Sequence, residues 1–156
     1  MIAYYELIDA LQTHLQADSE INTVLTEGVD KVDLDKRSIF GLAHIGVTGG
    51  EFLMGSVQFN ISIAVMDIVD EDKTGIEKLP GDERWKGVSN RQDILNNMLS
   101  VLERLEKAIR NDNLKHDGID MVGNMTVEPF EERFENLLTG WEADFTFTIP
   151  NTVQSC

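Results

Sequence analysis

Residues 56–65 read Ser-Val-Gln-Phe-Asn-Ile-Ser-Ile-Ala-Val, in which every second residue is apolar. Successive side chains of a β-strand point to opposite faces, so this pattern gives one apolar face and one polar or small face. Ile68 and Val69 can extend the strand. Such a strand would span roughly 40 Å, which is longer than a small domain usually needs. We therefore predict a long β-strand whose end projects from the core.

The residues before this strand predict its partner in a hairpin. Ile39–Val47 is rich in β-forming residues, and Thr48-Gly49-Gly50 offers the turn chemistry that a tight hairpin requires. The sequence therefore places the turn at residues 48–50 and a long hairpin on either side of it.

Three further strands are predicted, at Ile21–Leu25, Met121–Val127 and Gly140–Ile149. The last one alternates most cleanly, and Pro150 ends it because proline cannot donate to the sheet. We place the end of the middle strand near Pro129. Residues 130–138 then form a charged turn region with room for a short helical turn.

Two amphipathic helices are predicted from apolar residues at helical spacing. The first covers residues 3–17. The second opens with a capping box formed by Ser89 and Gln92, runs to about Arg110 and stops at Asn111. Its apolar stripe should cover the sheet, and consists of Ile94, Met98, Val101, Leu102, Leu105 and Ile109.

The predicted order is α-β-β-β-α-β-β within a single domain of residues 1–156. Strands that arrive in consecutive groups indicate an α+β fold with an antiparallel or mixed sheet and two flanking helices. Gly28–Ser38 is a polar connection. Residues 70–88 show no period and form an extended loop, and loops of this size are usually functional or disordered.

The composition excludes several classes of protein. Acidic residues outnumber basic ones 28 to 13, for a formal charge of −15, and no basic cluster is present to grip a phosphate backbone. The single cysteine, Cys156, cannot form an internal disulfide, which suits a reducing compartment. We also expect no signal peptide and no membrane-spanning segment.

No motif in the chain predicts catalysis or a cofactor. The histidines are His14, His44 and His116, and none has the spacing of a zinc site. Gly46–Gly50 lacks the Lys-Ser/Thr of a phosphate loop. Asp70–Gly75 resembles the start of a calcium loop, but Gly81 stands where the bidentate glutamate belongs, so a solvated acidic loop is favoured. We predict a non-enzymatic protein without cofactor or metal.

Two features admit both a bland and a functional interpretation. An acidic stretch contains Glu128, Glu131, Glu132, Glu135, Glu142 and Asp144. It is a solvated face in a monomer, whereas in a ring it could line a channel that repels a passing polyanion. Trp85 lies in the polar 70–88 loop, where it either packs against its own domain or anchors an interface.

Four stretches of the chain are similar in sequence to one known family, namely Tyr5–Leu11, Phe40–Ile45, Phe59–Asp70 and Phe134–Asn151. In these the chain resembles tail-completion and tail-terminator proteins of long-tailed bacteriophages. The resemblance implies a homohexameric ring that caps the tail tube, offers a docking face to the head–neck assembly and lets DNA pass without specific binding. It also implies location in the virion tail or neck, after assembly in the host cytoplasm, with tail-tube and neck proteins as partners.

On this hypothesis the long strand and the loop that follows it reach a neighbouring subunit or the tube, through Ile68, Asp70, Asp72, Leu79 and Trp85. The family resemblance assigns no catalytic or ligand-binding residue. Two alternatives stay open: a head-side neck or connector protein of the same particle, and a small ligand-binding domain or enzyme.

Overall fold

The described residues form a five-stranded sheet with two helices packed on it. The computed structural model describes residues 3–26, 40–69, 91–111, 120–133 and 138–150. The elements are α1 Ala3–Ala17, β1 Thr23–Leu25, β2 Leu42–Leu53, β3 Ser56–Ile68, α2 Arg91–Arg110, β4 Asp120–Arg133 and β5 Leu138–Pro150. The strand order is β1-β2-β3-β5-β4. Among these described strands only β1 and β2 pair in parallel, so the sheet is mixed and the predicted α+β class is confirmed.

The main core lies between the helices and one face of the sheet. Ile61, Ile63 and Val65 of β3 all point to this face, because alternate residues of a strand lie on the same side of the sheet. The apolar stripes of α1 and α2 close over them and over the matching residues of β2 and β5. Trp141 adds a polar tie, since its indole N–H donates to the Leu95 carbonyl oxygen of α2 at 2.8 Å.

A smaller apolar cluster lies on the opposite face, near one end of the sheet. It consists of Phe40, Leu42, Ala64, Met66, Phe130 and Leu138. Residues 63–66 of β3 are therefore buried on both faces. This explains why the alternation that begins at Ser56 ends in the uninterrupted apolar run Ile63–Met66.

The hairpin turn predicted at Thr48–Gly50 is wrong. β2 continues to Leu53, and the chain turns at Met54-Gly55, where Gly55 has a φ of 81°. The extra length is absorbed by a bulge, because the pairing with β3 shifts by one residue between Val47 and Gly49. Gly50 serves a close approach instead of a turn, since a Cβ there would lie 3.2 Å from the Phe59 ring.

The predicted end of the fourth strand near Pro129 is also wrong. β4 runs from Asp120 to Arg133, and Phe130 is a buried strand residue, not the start of a turn region. Proline is tolerated here because β4 is the last strand of the described sheet, where a backbone N–H need not bond to a neighbour. The connection at 28–38, residues 134–137 and the capping residue Ser89 lie outside the described part of the chain.

Candidate assembly surface

The acidic residues singled out from the sequence separate into two locations. Glu128 lies opposite Glu142, and Asp144 is two residues further along β5, so all three point away from the helices. Ser62 donates its hydroxyl to Glu142 Oε1 at 3.0 Å. Hydroxyl and amide side chains complete this face, among them Asn60, which accepts a hydrogen bond from the Thr146 hydroxyl at 3.0 Å. The result is a polar sheet face that holds these three carboxylates, and Glu51 and Asp120 add theirs because they pair with Gln58 and Thr148.

Glu131 does not join that face. It is three residues from Glu128 along β4 and pairs with Thr139, which turns it towards the helices. There it forms an ion pair with Arg91 at the start of α2. Glu132 belongs to β4, but its side chain is outside the described set, as is the whole of Glu135.

Of the predicted interface residues, only Ile68 falls within the described residues. It is half-buried at the end of β3 and packs against the smaller apolar cluster of its own domain. Asp70, Asp72, Leu79 and Trp85 lie outside the described ranges, together with the calcium-like stretch Asp70–Gly75.

The tip of the β2–β3 hairpin carries three adjacent exposed apolar residues, two of which are the most exposed of the described large apolar residues, and sequence reasoning missed it. Phe52 is 85% exposed, Leu53 is 40% exposed and Met54 is completely exposed. Single exposed apolar residues are ordinary, but three adjacent ones at a turn are typical of a contact site. The sequence signal was three large apolar residues directly before Gly55, where a tight turn usually has polar residues.

The outer edge of β2 is accessible along the same stretch. Within the described strands, β1 pairs only with residues 42–44 of β2, and from Val47 to Leu53 nearly every residue is exposed. An exposed strand edge offers backbone N–H and C=O groups to another strand. The hairpin thus combines an apolar tip with an open edge.

Polar groups elsewhere serve to hold the helices in place. Asp18, at the end of α1, accepts two hydrogen bonds from the Arg104 guanidinium of α2, at 2.7 and 2.8 Å. Burial acts to raise the pKa of Asp18, but the hydrogen bonds from Arg104 and from the Glu20 backbone N–H prevail and lower it. Burial lowers the pKa of the neighbouring His14, and this outweighs the opposing effect of Asp18.

One carboxyl group is held in a partly buried position at the far end of β3. Burial raises the pKa of Asp67, with a smaller contribution from Glu20, although its Oδ1 accepts the Ile68 N–H at 2.7 Å. Asp67 is far along the strand from the hairpin tip. Within the described ranges no three His, Cys, Asp or Glu residues come together to hold a metal ion. None of the described helices is both long and apolar enough to cross a membrane.

Comparison of the sequence with models of known protein families found no match, and comparison with curated proteins found none either.

Proposed function

We propose that this protein is a structural subunit of a bacteriophage tail, which assembles as a hexameric ring at the end of the tail tube. There it terminates the tube and presents a docking face to the head–neck assembly. It acts by making contacts, without catalysing a reaction.

The hairpin tip is the observation that supports this proposal best. Phe52 and Met54 expose large apolar side chains at the turn of the β2–β3 hairpin, whose second strand is paired with β5 along its whole length. Burying such side chains in a partner stabilises the complex by about 1.5–3 kcal/mol each. An apolar tip that is open to solvent on a firmly paired strand is well suited to contact a neighbouring subunit or the tube.

The polar sheet face supplies the second part of the proposal. Glu128, Glu142 and Asp144 share that face, and the whole chain has a formal charge of −15. Carboxylates that line a channel repel phosphates, so DNA would pass without sticking. We propose that this face is turned towards the lumen of the ring, with the helices outside.

The test is a phage in which the gene is deleted, with tail lengths measured by electron microscopy. Overlong tails are expected, because nothing would stop growth of the tube. Tails of normal length that fail to join heads would instead assign the protein to the head-side neck. Normal, infectious particles would refute both assignments.

A complementation series links the outcome to the tip. A plasmid copy carrying Phe52→Ser together with Met54→Ser should fail to restore tail length. The matched control is Leu99→Ser, which removes an exposed apolar side chain of α2, 39% accessible and away from the hairpin. That control should restore normal tails.

A further inference from the structure

The accessible edge of β2 can pair with the same edge of a second copy that is related to the first by a two-fold axis. Two antiparallel β2 strands related by such an axis through Gly50 place Gly49 opposite Glu51. Beyond that point each strand contains its bulge at Thr48, since the register with β3 shifts between Val47 and Gly49. Skipping the bulged residue brings Val47 opposite Phe52 and Gly46 opposite Leu53.

The bulge is what makes this register consistent with the two faces of the sheet. Val47 and Phe52 both point to the helix face, because they pair with Ile61 and Val57 of β3. They are five residues apart, an odd number, and would point to opposite faces in a strand without a bulge. With it, every pair across the axis joins side chains on the same face.

The pairs themselves are favourable. Val47 and Phe52 are exposed apolar residues, 38% and 85% accessible, and they would meet twice in one interface. Cross-strand pairs of an aromatic and a β-branched residue are among the stabilising ones. Glu51 is the only carboxylate or Lys/Arg from Ile45 to Leu53, and it faces Gly49, not its own copy. In a chain with a formal charge of −15, this edge allows close approach with little repulsion.

The edge also has the correct length. β1 stops beside His44, and the hairpin turns at Met54-Gly55. In the register centred on Gly50, Leu53 of the partner lies opposite Gly46. The partner's turn therefore begins beside Ile45, one residue past His44, where β1 ends. Within the described ranges no strand occupies this edge of β2 beyond His44, so a second copy can pair there.

We propose that the free chain forms a two-fold dimer through β2. In this dimer two five-stranded sheets join into one, and each copy covers the exposed β2 edge of the other. Strand addition of this kind is a common mode of association, and two-fold dimers are the commonest oligomers. The dimer concerns the protein before it enters a particle, so it does not depend on the tail assignment. It also protects an exposed strand edge from uncontrolled pairing.

A charge-exchange experiment tests the pairing and its register. Sedimentation equilibrium of the full-length wild type should give a dimer. Val47→Lys and Phe52→Glu should each be folded monomers, because each puts a charge against an apolar partner twice. An equimolar mixture of the two variants should dimerise again. In that mixed dimer the introduced lysine of one chain meets the introduced glutamate of the other, while the second pair keeps its valine and phenylalanine.

Leu99→Lys is the matched control for this experiment. It introduces the same positive charge at an exposed apolar position of α2, away from β2. It should dimerise alone and fail to rescue Phe52→Glu.

Three results would overturn the proposal. These are a wild type that stays monomeric at its solubility limit, single variants that dimerise as the wild type does, and a mixture that remains monomeric. None of them bears on tail length in the deletion phage, so failure of the dimer and failure of the proposed function are separately visible.

Discussion

Gly140 shows how a single residue can be required by the close approach of two strands. A Cβ built at this position would lie 1.9 Å from the Val65 carbonyl oxygen and 2.8 Å from the Met66 Cα, both of them backbone atoms that cannot swing away. We predict that Gly140→Ala lowers the free energy of unfolding by about 1–3 kcal/mol, the usual cost of overpacking. Urea denaturation of the purified protein measures this.

Gly49→Ala is the matched control for that substitution. Its nearest atom beyond its sequence neighbours would be the Asn60 Nδ2 at 3.8 Å, an ordinary contact. The change should shift stability by no more than about 0.5 kcal/mol, as for other surface positions. Equal losses for the two variants would show that the backbone contact at Gly140 is unimportant.

The ion pair of Asp18 and Arg104 predicts a defined pH dependence. The pKa of Asp18 is lower in the folded protein than in the unfolded chain, so its ionised form stabilises the fold. This contribution is fully present above the ordinary aspartate pKa of about 3.9 and is lost as pH falls through the lower, folded value. Asp18→Asn should therefore be less stable than wild type at neutral pH, by about 1 kcal/mol because Arg104 is half exposed.

Thermal unfolding of both proteins at a series of pH values measures that difference, which should shrink in strongly acidic solution. Glu103→Gln removes the carboxylate of the exposed Glu103–Lys107 pair within α2 and serves as control. It should have the smaller effect, since that pair joins no two elements. A constant difference between wild type and Asp18→Asn at every pH would refute the role of the Asp18 charge.

The turn of the β2–β3 hairpin exposes a side chain that can contact a partner. Met54 lies in the turn and is completely exposed, so Met54→Ser should leave the free energy of unfolding within about 0.5 kcal/mol of wild type. It should nevertheless weaken binding to tail tubes, because the tip would lose an apolar anchor. Co-sedimentation with purified tubes measures this, with Leu99→Ser as the control that binds normally.

A substitution at Met54 also distinguishes tube binding by the hairpin turn from dimerisation through the β2 edge. It lies beyond residues 46–53, which form the proposed β2 pairing, so Met54→Ser should remain a dimer in the free state. Loss of the dimer in this variant would show that the turn itself, and not the strand edge, mediates self-association.

The excess of acidic residues over the whole chain predicts a response of its stability to salt. The formal charge is −15 at pH 7, and like charges on a folded chain repel one another. Added sodium chloride screens this repulsion, so the melting temperature should rise between low and physiological ionic strength. Near the sequence pI of about 4.4 the response should largely disappear, and calorimetry in two buffers measures both. A salt response of equal size at both pH values would contradict the repulsion.

Local periodicity was enough to find most elements of this fold. The alternation in residues 56–65 and the helical spacing of Ile94, Met98 and Leu105 depend only on neighbours along the chain, and the element order followed from them. Turn chemistry was less informative, because Gly49 and Gly50 can occupy a turn or lie within a strand. Packing against Phe59 and the bulge at Thr48 decide between the two, and both depend on β3.

For the candidate site, the sequence alone identified an acidic stretch and a long hairpin strand. It could not sort Glu131 from Glu128, because the face on which a strand residue lies depends on register with the next strand. Nor could it reveal the exposed tip, since exposure of Phe52 and Met54 depends on where the hairpin ends relative to the helices. Composition and period are local properties and determine the elements, whereas pairing register and burial are set by residues distant in sequence, and only the tertiary structure decides them.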